Sequence, residues 1–178
     1  MFDEKLQKFL NANEACLGGI TRLQDIGVET LEQAWDKASD DDLIWAITRP
    51  SVMNQEQCRL FLIMVLSSIE DKLTNRRSKN ILEKLRTNEV ITNEDLAAAW
   101  DASNFARVVS DSSDAANDAA WAAARTMWAA IDSVRAARAM WVASDAVMAA
   151  GFDGASDAWA AQAKWVRENF KLCNLRTN

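Results

Sequence analysis

The amino-acid sequence predicts an all-α fold, a single-domain antiparallel helical bundle of roughly eight helices. Its 178 residues include only five glycines and one proline, so residues that break helices are scarce. Tyrosine is absent and β-branched runs are short, which weakens any strand signal. The length fits one domain over residues 1–178, in which Leu/Phe-rich helices (1–90) precede an Ala/Trp/Asp-rich half (91–178).

The N-terminal segment predicts two helices separated by a turn. Apolar residues recur at helical spacing in "FDEKLQKFLNA" and again in "ETLEQAWDKA", for which Thr30 is the expected cap. Between them, Gly18 and Gly19 interrupt the pattern, and "TRLQDIG" is expected to be a turn. The expected inward-facing residues are Phe2, Leu6, Phe9 and Leu10 in the first helix and Leu31, Ala34, Trp35 and Ala38 in the second.

A third helix is predicted in "SDDDLIWAITRP". Ser39 is a good N-cap, and Asp40, Asp41 and Asp42 occupy the first turn, where the helix dipole favours negative charge. Pro50 ends the helix. We interpret the three aspartates as capping residues. A metal site is the alternative, although consecutive residues on a helix point in different directions.

The most apolar helix is predicted in "NQEQCRLFLIMVLSSIEDKL", whose wide apolar arc indicates a place in the centre of the bundle. A polar loop, "TNRRSKN", follows it and leads to a short helix. The basic cluster in this loop is interpreted as solvated, and a phosphate contact is the alternative. The apolar arc comprises Cys58, Phe61, Leu62, Val65, Leu66, Ile69 and Leu73, the short helix carries Ile81, Leu82 and Leu85, and the basic residues are Arg76, Arg77 and Lys79.

The Ala-rich half begins with a helix-start signal at Thr92 and Asp95, a capping box in which Asp replaces the usual Glu or Gln. From there to Ala150 the chain has neither Gly nor Pro, so polar residues are expected to mark the helix ends, near 110–114 and near 131–134. The "GFDG" sequence is a turn, and "ASDAWAAQAKWVRENF" is the last helix.

The combination of alanine and tryptophan in this half has a physical reason. Alanine keeps a helix slender and allows close packing, and each tryptophan adds on the order of 150–250 Å² of contact area. Either the tryptophans fill the core, or some of them form a binding face beside short acids and arginines. The predicted partner-binding residues are Trp121, Trp128, Trp141, Asp111, Asp114, Asp118, Arg125, Asp132 and Arg135.

Composition argues against several classes of function. The chain has no histidine and no Gly-rich phosphate loop, so we expect no enzyme activity and no cofactor. Its net charge of −6 disfavours direct binding to nucleic acid or to anionic membranes. The three cysteines lack metal-ligand spacing, and no signal peptide or membrane-length apolar run is seen, so we expect a cytoplasmic protein without a metal.

The order of these segments resembles a known family. "GVETLEQAWDKASDDDLIWAITRP", "NILEKLRTNEVITNEDLAAAWDA" and the Ala-rich tail ending in "QAKWVRENF" are similar to successive segments of Ala-rich all-helical immunity proteins. Those proteins occur in bacterial polymorphic-toxin loci and, as relatives, in phage genomes. The resemblance implies an all-α fold and a role in neutralising a protein, and it carries over no catalytic residue.

We therefore expect a non-catalytic, acidic helical protein that inhibits a partner protein by stoichiometric binding. The partner is a toxin or, for a phage-encoded protein, a host defence protein or host enzyme. Three alternatives stay open: a nucleotide-binding sponge that uses Trp and Arg, an enzyme with carboxylate-bound metal, and an acidic mimic of nucleic acid. The mimic would use Asp101, Asp111, Asp114, Asp118 and Asp132 as phosphate analogues. A homodimer is equally compatible with apolar surface on the Ala-rich helices.

Overall fold

A computed structural model of the chain describes residues 1–50, 52–73, 75–109, 123, 143 and 155–172. This part of the chain is all-helical and contains no β-strand, which confirms the predicted fold class. Eight α-helices have their bounds within it, and Ala123 and Ala143 are also helical. The helices are α1 (Glu4–Ala12), α2 (Leu17–Asp25), α3 (Leu31–Lys37), α4 (Asp40–Ile47), α5 (Gln55–Ser67), α6 (Arg76–Thr87), α7 (Asn93–Val109) and α8 (Ala155–Asn169).

Local side-chain caps start the helices, as the sequence predicts. The Thr30 hydroxyl accepts a hydrogen bond from the backbone N–H of Gln33 at 3.2 Å at the start of α3. The Ser39 hydroxyl accepts one from the N–H of Asp42 at 3.4 Å at the start of α4. At the start of α7 the capping box is reciprocal: the Thr92 N–H donates to the Asp95 carboxylate at 2.9 Å, and the Asp95 N–H donates to the Thr92 hydroxyl at 3.2 Å. Asp95 therefore makes the reciprocal hydrogen bond that Glu or Gln usually makes in a capping box.

The predicted break at Gly18 and Gly19 and the predicted turn at "TRLQDIG" are wrong, because α2 runs from Leu17 to Asp25 and includes most of that turn and both glycines. They occupy its first turn, immediately after Cys16, whose sulfur accepts a hydrogen bond from the Gly19 N–H at 3.4 Å. Leu23 is buried and anchors the helix in the core. Burial of one side chain and a cap thus outweigh a glycine cost of about 1 kcal/mol per residue.

Two further boundaries differ from the prediction. The polar loop at "TNRRSKN" is largely helical, since α6 begins at Arg76, so the basic cluster is on a helix. Its inward face starts with a small polar residue, Ser78, which an apolar pattern does not reveal. Helix α5 ends at Ser67, whose successor Ser68 donates its hydroxyl to the Val65 carbonyl at 2.7 Å; a short 3₁₀ helix, Glu70–Lys72, follows.

Helix α5 lies at the centre of the core. All seven of its predicted apolar positions, including Ile69 and Leu73 beyond its end, are buried. Helix α5 packs against α6 and α8, α6 packs against α7, and α8 packs most extensively against α4. In the described residues no helix has both the length and the apolarity needed to cross a bilayer.

An ion pair joins α8 to the N-terminal helices, which are distant from it in sequence. Arg167 donates from Nη1 to Oδ1 of Asp40 at 2.8 Å and from Nη2 to the Ala38 carbonyl at 3.0 Å. The contact joins the last described helix to the junction between α3 and α4. Leu172, which follows α8, is among the residues that line the cleft described next.

Candidate functional site

The first four helices enclose an apolar cleft of about 260 Å³. Small side chains account for the space: Ala15, Ala34, Ala38 and Ala46 line the cleft at positions where larger residues would fill it. Larger apolar groups form the remaining walls, and Leu172, which follows α8, also lines the cleft. These larger wall residues include Phe9, Leu10, Leu23, Leu43, Trp35 and Trp45.

Charged residues from α2 and α4 form one edge of the cleft, which we call the rim (Arg22, Asp41 and Asp42). Arg22 binds the Asp42 carboxylate with two donors, Nε at 2.9 Å from Oδ2 and Nη2 against Oδ1. The Ser39 hydroxyl donates to the same carboxylate at 2.7 Å. Asp41 lies 4.0 Å from Arg22 and about half of its side chain is exposed (52%). The rim thus holds one cation against two anions.

The pairing shifts the pKa of both partners. Burial raises the pKa of Asp42, but hydrogen bonds from Arg22 and Ser39 outweigh it, so the pKa lies below its usual value. The hydrogen bond to Asp42 raises the pKa of Arg22 above its usual value. Both groups are therefore charged at neutral pH, and the rim keeps a net negative charge.

Trp45 is held in place as one wall of the cleft. The edge of the Phe9 ring meets the indole at a centroid distance of 6.4 Å and an interplanar angle of 86°. The Arg49 guanidinium lies 4.9 Å from the centroid of the same ring, and its Nε donates to the Trp45 carbonyl at 2.9 Å. Burial lowers the pKa of Arg49. The wall is therefore preorganised before any ligand arrives.

The two described cysteines differ in access. Cys16 is exposed and lines the cleft at the start of α2, whereas Cys58 is buried in α5. A reagent that modifies thiols in the folded protein will therefore reach Cys16 and not Cys58. Reaction at Cys16 can report whether the cleft is occupied.

The cleft's size and chemistry define what it is able to hold. Ligand pockets for drug-sized molecules and cofactors occupy about 300–1,000 Å³, and an apolar cavity of about 150 Å³ holds benzene. At about 260 Å³ this cleft matches one large apolar side chain or two smaller ones. Its polar groups lie along one edge only. It fits an apolar group that carries charge at one side.

The predicted partner-binding residues cannot be placed. Trp121, Trp128, Trp141, Asp111, Asp114, Asp118, Arg125, Asp132 and Arg135 all lie outside the described residues, as do the predicted helix ends near 110–114 and 131–134. Of the five acids proposed to mimic phosphates, the structure describes only Asp101. It is exposed, and its Oδ2 lies 3.5 Å from Nη1 of Arg77.

The described tryptophans nevertheless bear on the choice between core and surface. Trp35, Trp45, Trp159 and Trp165 are partly exposed, and Trp100 is exposed (41%). None of these five is fully buried, whereas Ala99, Ala123, Ala143 and Ala163 are completely buried. In the described part of the Ala-rich half, therefore, four alanines lie in the interior, and all three indoles are at least partly exposed.

Sequence reasoning missed the cleft. The three aspartates at the start of α4 were assigned to capping, but Asp42 also binds Arg22 and Asp40 binds Arg167, two long-range pairs. The usable signal is the pairing of Trp35 and Trp45 with alanines in a half otherwise rich in Leu and Ile. In the described residues no three His, Cys, Asp or Glu side chains are grouped closely enough to hold a metal ion.

Comparison of the chain with protein-family models, curated proteins and solved structures gives no match. The resemblance to Ala-rich immunity proteins stays a prediction that rests on the quoted segments.

Proposed function

We propose that the protein is a non-catalytic binding protein that inhibits a partner protein by one-to-one association in the cytoplasm of a bacterial cell. The partner is a toxin or, if the chain is phage-encoded, a host defence protein or host enzyme. The apolar cleft between α1 and α4 is the observation that carries this proposal, because it offers a preformed receptor for a side chain of another macromolecule.

The residue types around the cleft support this function. Tryptophan and arginine are the types most enriched at binding hot spots, and the cleft combines Trp35 and Trp45 with Arg22. Hot spots also lie in well-packed pockets from which water is excluded. The wall at Trp45 is fixed by two neighbours, so little side-chain entropy is lost on binding.

The surface of the Ala-rich half supports the same function. Trp100, Trp159 and Trp165 present large aromatic area at or near the surface. The chain's net charge of −6 favours association with a basic partner by electrostatic steering. The similarity to immunity proteins adds a protein-neutralising role to this physical description.

A differential capture experiment tests the proposal. Tagged wild-type protein, Ala34→Trp and Ala97→Trp are exposed to the same bacterial lysate. Ala34→Trp fills the cleft, whereas Ala97 is exposed on α7 and does not line it, so Ala97→Trp is the matched control. We expect one dominant protein to be retained by wild type and Ala97→Trp, with one-to-one stoichiometry by sedimentation. Absence of any stoichiometric partner would remove the proposal.

A further inference from the structure

We infer that the cleft binds an apolar side chain carried by a basic amphipathic segment of the partner, with a Lys or Arg of that segment facing Asp41. This inference rests on the proposed function and specifies the chemistry of the partner. The occupant is a segment that places large aliphatic or aromatic anchors on one face with positive charge beside them, as a basic amphipathic helix does.

Charge complementarity decides the sign of the partner's segment. The rim has one net negative charge, because Arg22 is engaged by Asp42 through two donors while Asp41 adds a second carboxylate. Asp41 is the more exposed of the two carboxylates, 52% against 18% for the Asp42 side chain. Of the two carboxylates, Asp41 is therefore the one more open to an incoming cation, and the chain's net charge of −6 attracts cationic segments to the protein.

The shape of the cleft decides the apolar part. Almost all of the lining is aliphatic or aromatic, and the charged groups come only from α2 and the start of α4. A ligand with polar groups on all sides would leave most of them without hydrogen-bond partners, which disfavours its binding. A side chain such as Leu, Met or Phe carries no such groups. The backbone of its segment stays at the mouth, beside Cys16 and Asp41.

Protection of Cys16 measures this binding directly. The full-length protein is alkylated with iodoacetamide, and the extent of reaction at Cys16 is read by peptide-resolved mass spectrometry. The probes are three designed helical peptides of about 15 residues, long enough to form helix. One combines Leu and Lys, the second has Glu in place of Lys, and the third has Ala in place of Leu. The Leu/Lys peptide should slow alkylation about tenfold at about ten times its Kd, and the other two should not.

Two protein variants locate the binding. Ala34→Trp should abolish protection and Ala97→Trp should retain it. Asp41→Asn keeps the fold of α4 and should weaken the peptide's Kd about two- to fivefold, as expected for a partly exposed charge pair. Asp71→Asn, which removes an exposed acid remote from the cleft, is its control. If circular dichroism shows that Ala34→Trp does not fold, the comparison of Asp41→Asn with Asp71→Asn tests the proposal.

The outcomes separate the two proposals. Equal protection by the Glu peptide, protection by the Ala peptide, or no protection at all would each overturn the basic amphipathic occupant. A lysate partner captured equally by wild type and Ala34→Trp would also overturn it while leaving the proposed function in place. Protection by the Leu/Lys peptide that is lost in Ala34→Trp and weakened in Asp41→Asn would establish it.

Discussion

Helices α5 and α8 both contribute to the core, but they bury side chains of different size. In α5 the fully buried positions hold Phe61, Leu62, Val65 and Leu66. In α8 Ala163 and Val166 are the completely buried apolar residues, while Trp159 and Trp165 are only partly buried. Helix α5 therefore contributes large buried side chains to the core, whereas α8 contributes Ala163 and Val166 and leaves its two indoles partly exposed.

Alanine itself behaves differently in the two regions. Ala99, Ala123, Ala143 and Ala163 are completely buried, so their side chains are covered by the residues around them. Among the first four helices, Ala34 and its three counterparts line an open cleft. The difference shows that a small side chain creates either close packing or empty volume, depending on whether the neighbouring helices are able to approach it.

The largest expected effect is the loss of a large side chain from α5. Phe61→Ala should destabilise the protein by about 3–5 kcal/mol, because it removes buried area and leaves a cavity. Leu60→Ala, at the adjacent exposed position, should change stability by about 0.5 kcal/mol or less. Urea denaturation followed by circular dichroism measures both. Similar values for the two variants would contradict the central place of α5.

The next effect contrasts the two kinds of alanine. Ala163→Leu should cost about 1–3 kcal/mol, because three extra carbon atoms have no room at a completely buried position. Ala34→Leu should be neutral or stabilise by up to about 1 kcal/mol, because the added methylene groups enter the cleft and are removed from water.

Ala161→Leu is the control for overpacking, since Ala161 lies on the exposed side of α8 and should be within about 0.5 kcal/mol of wild type. The three variants are compared by urea denaturation under one set of conditions. If Ala34→Leu destabilised the protein as much as Ala163→Leu, the distinction between closely packed and cleft-lining alanines would not hold.

The smallest effect concerns acid stability of the rim. The folded-state pKa of Asp42 lies below its unfolded value, so its charge contributes stability that is present above about pH 4 and lost as the pH falls through the folded pKa. Asp42→Asn should therefore cost about 1 kcal/mol or less at neutral pH, and the deficit should shrink below about pH 4. Stability curves between neutral and acidic pH measure it. A deficit that stays constant down to low pH would show that Asp42 acts through packing and not through its charge.

The sequence by itself determined the helical class, the caps at Thr30, Ser39 and Thr92, and the buried face of α5. These features depend on groups within about one or two turns of each other, so composition, periodicity and short-range hydrogen bonds are sufficient. It also showed that the Ala-rich half combines alanine with tryptophan, but it did not show which of the two residue types is buried.

Only the tertiary structure decided that Gly18 and Gly19 belong to a helix, that Arg22 binds Asp42 and that Arg167 binds Asp40. Each outcome depends on residues distant in sequence, which no local pattern specifies. The cleft has the same origin. Alanines leave its space unfilled, and larger neighbouring side chains keep the surrounding segments too far apart to close it. The separation of these segments depends on the packing of the whole core.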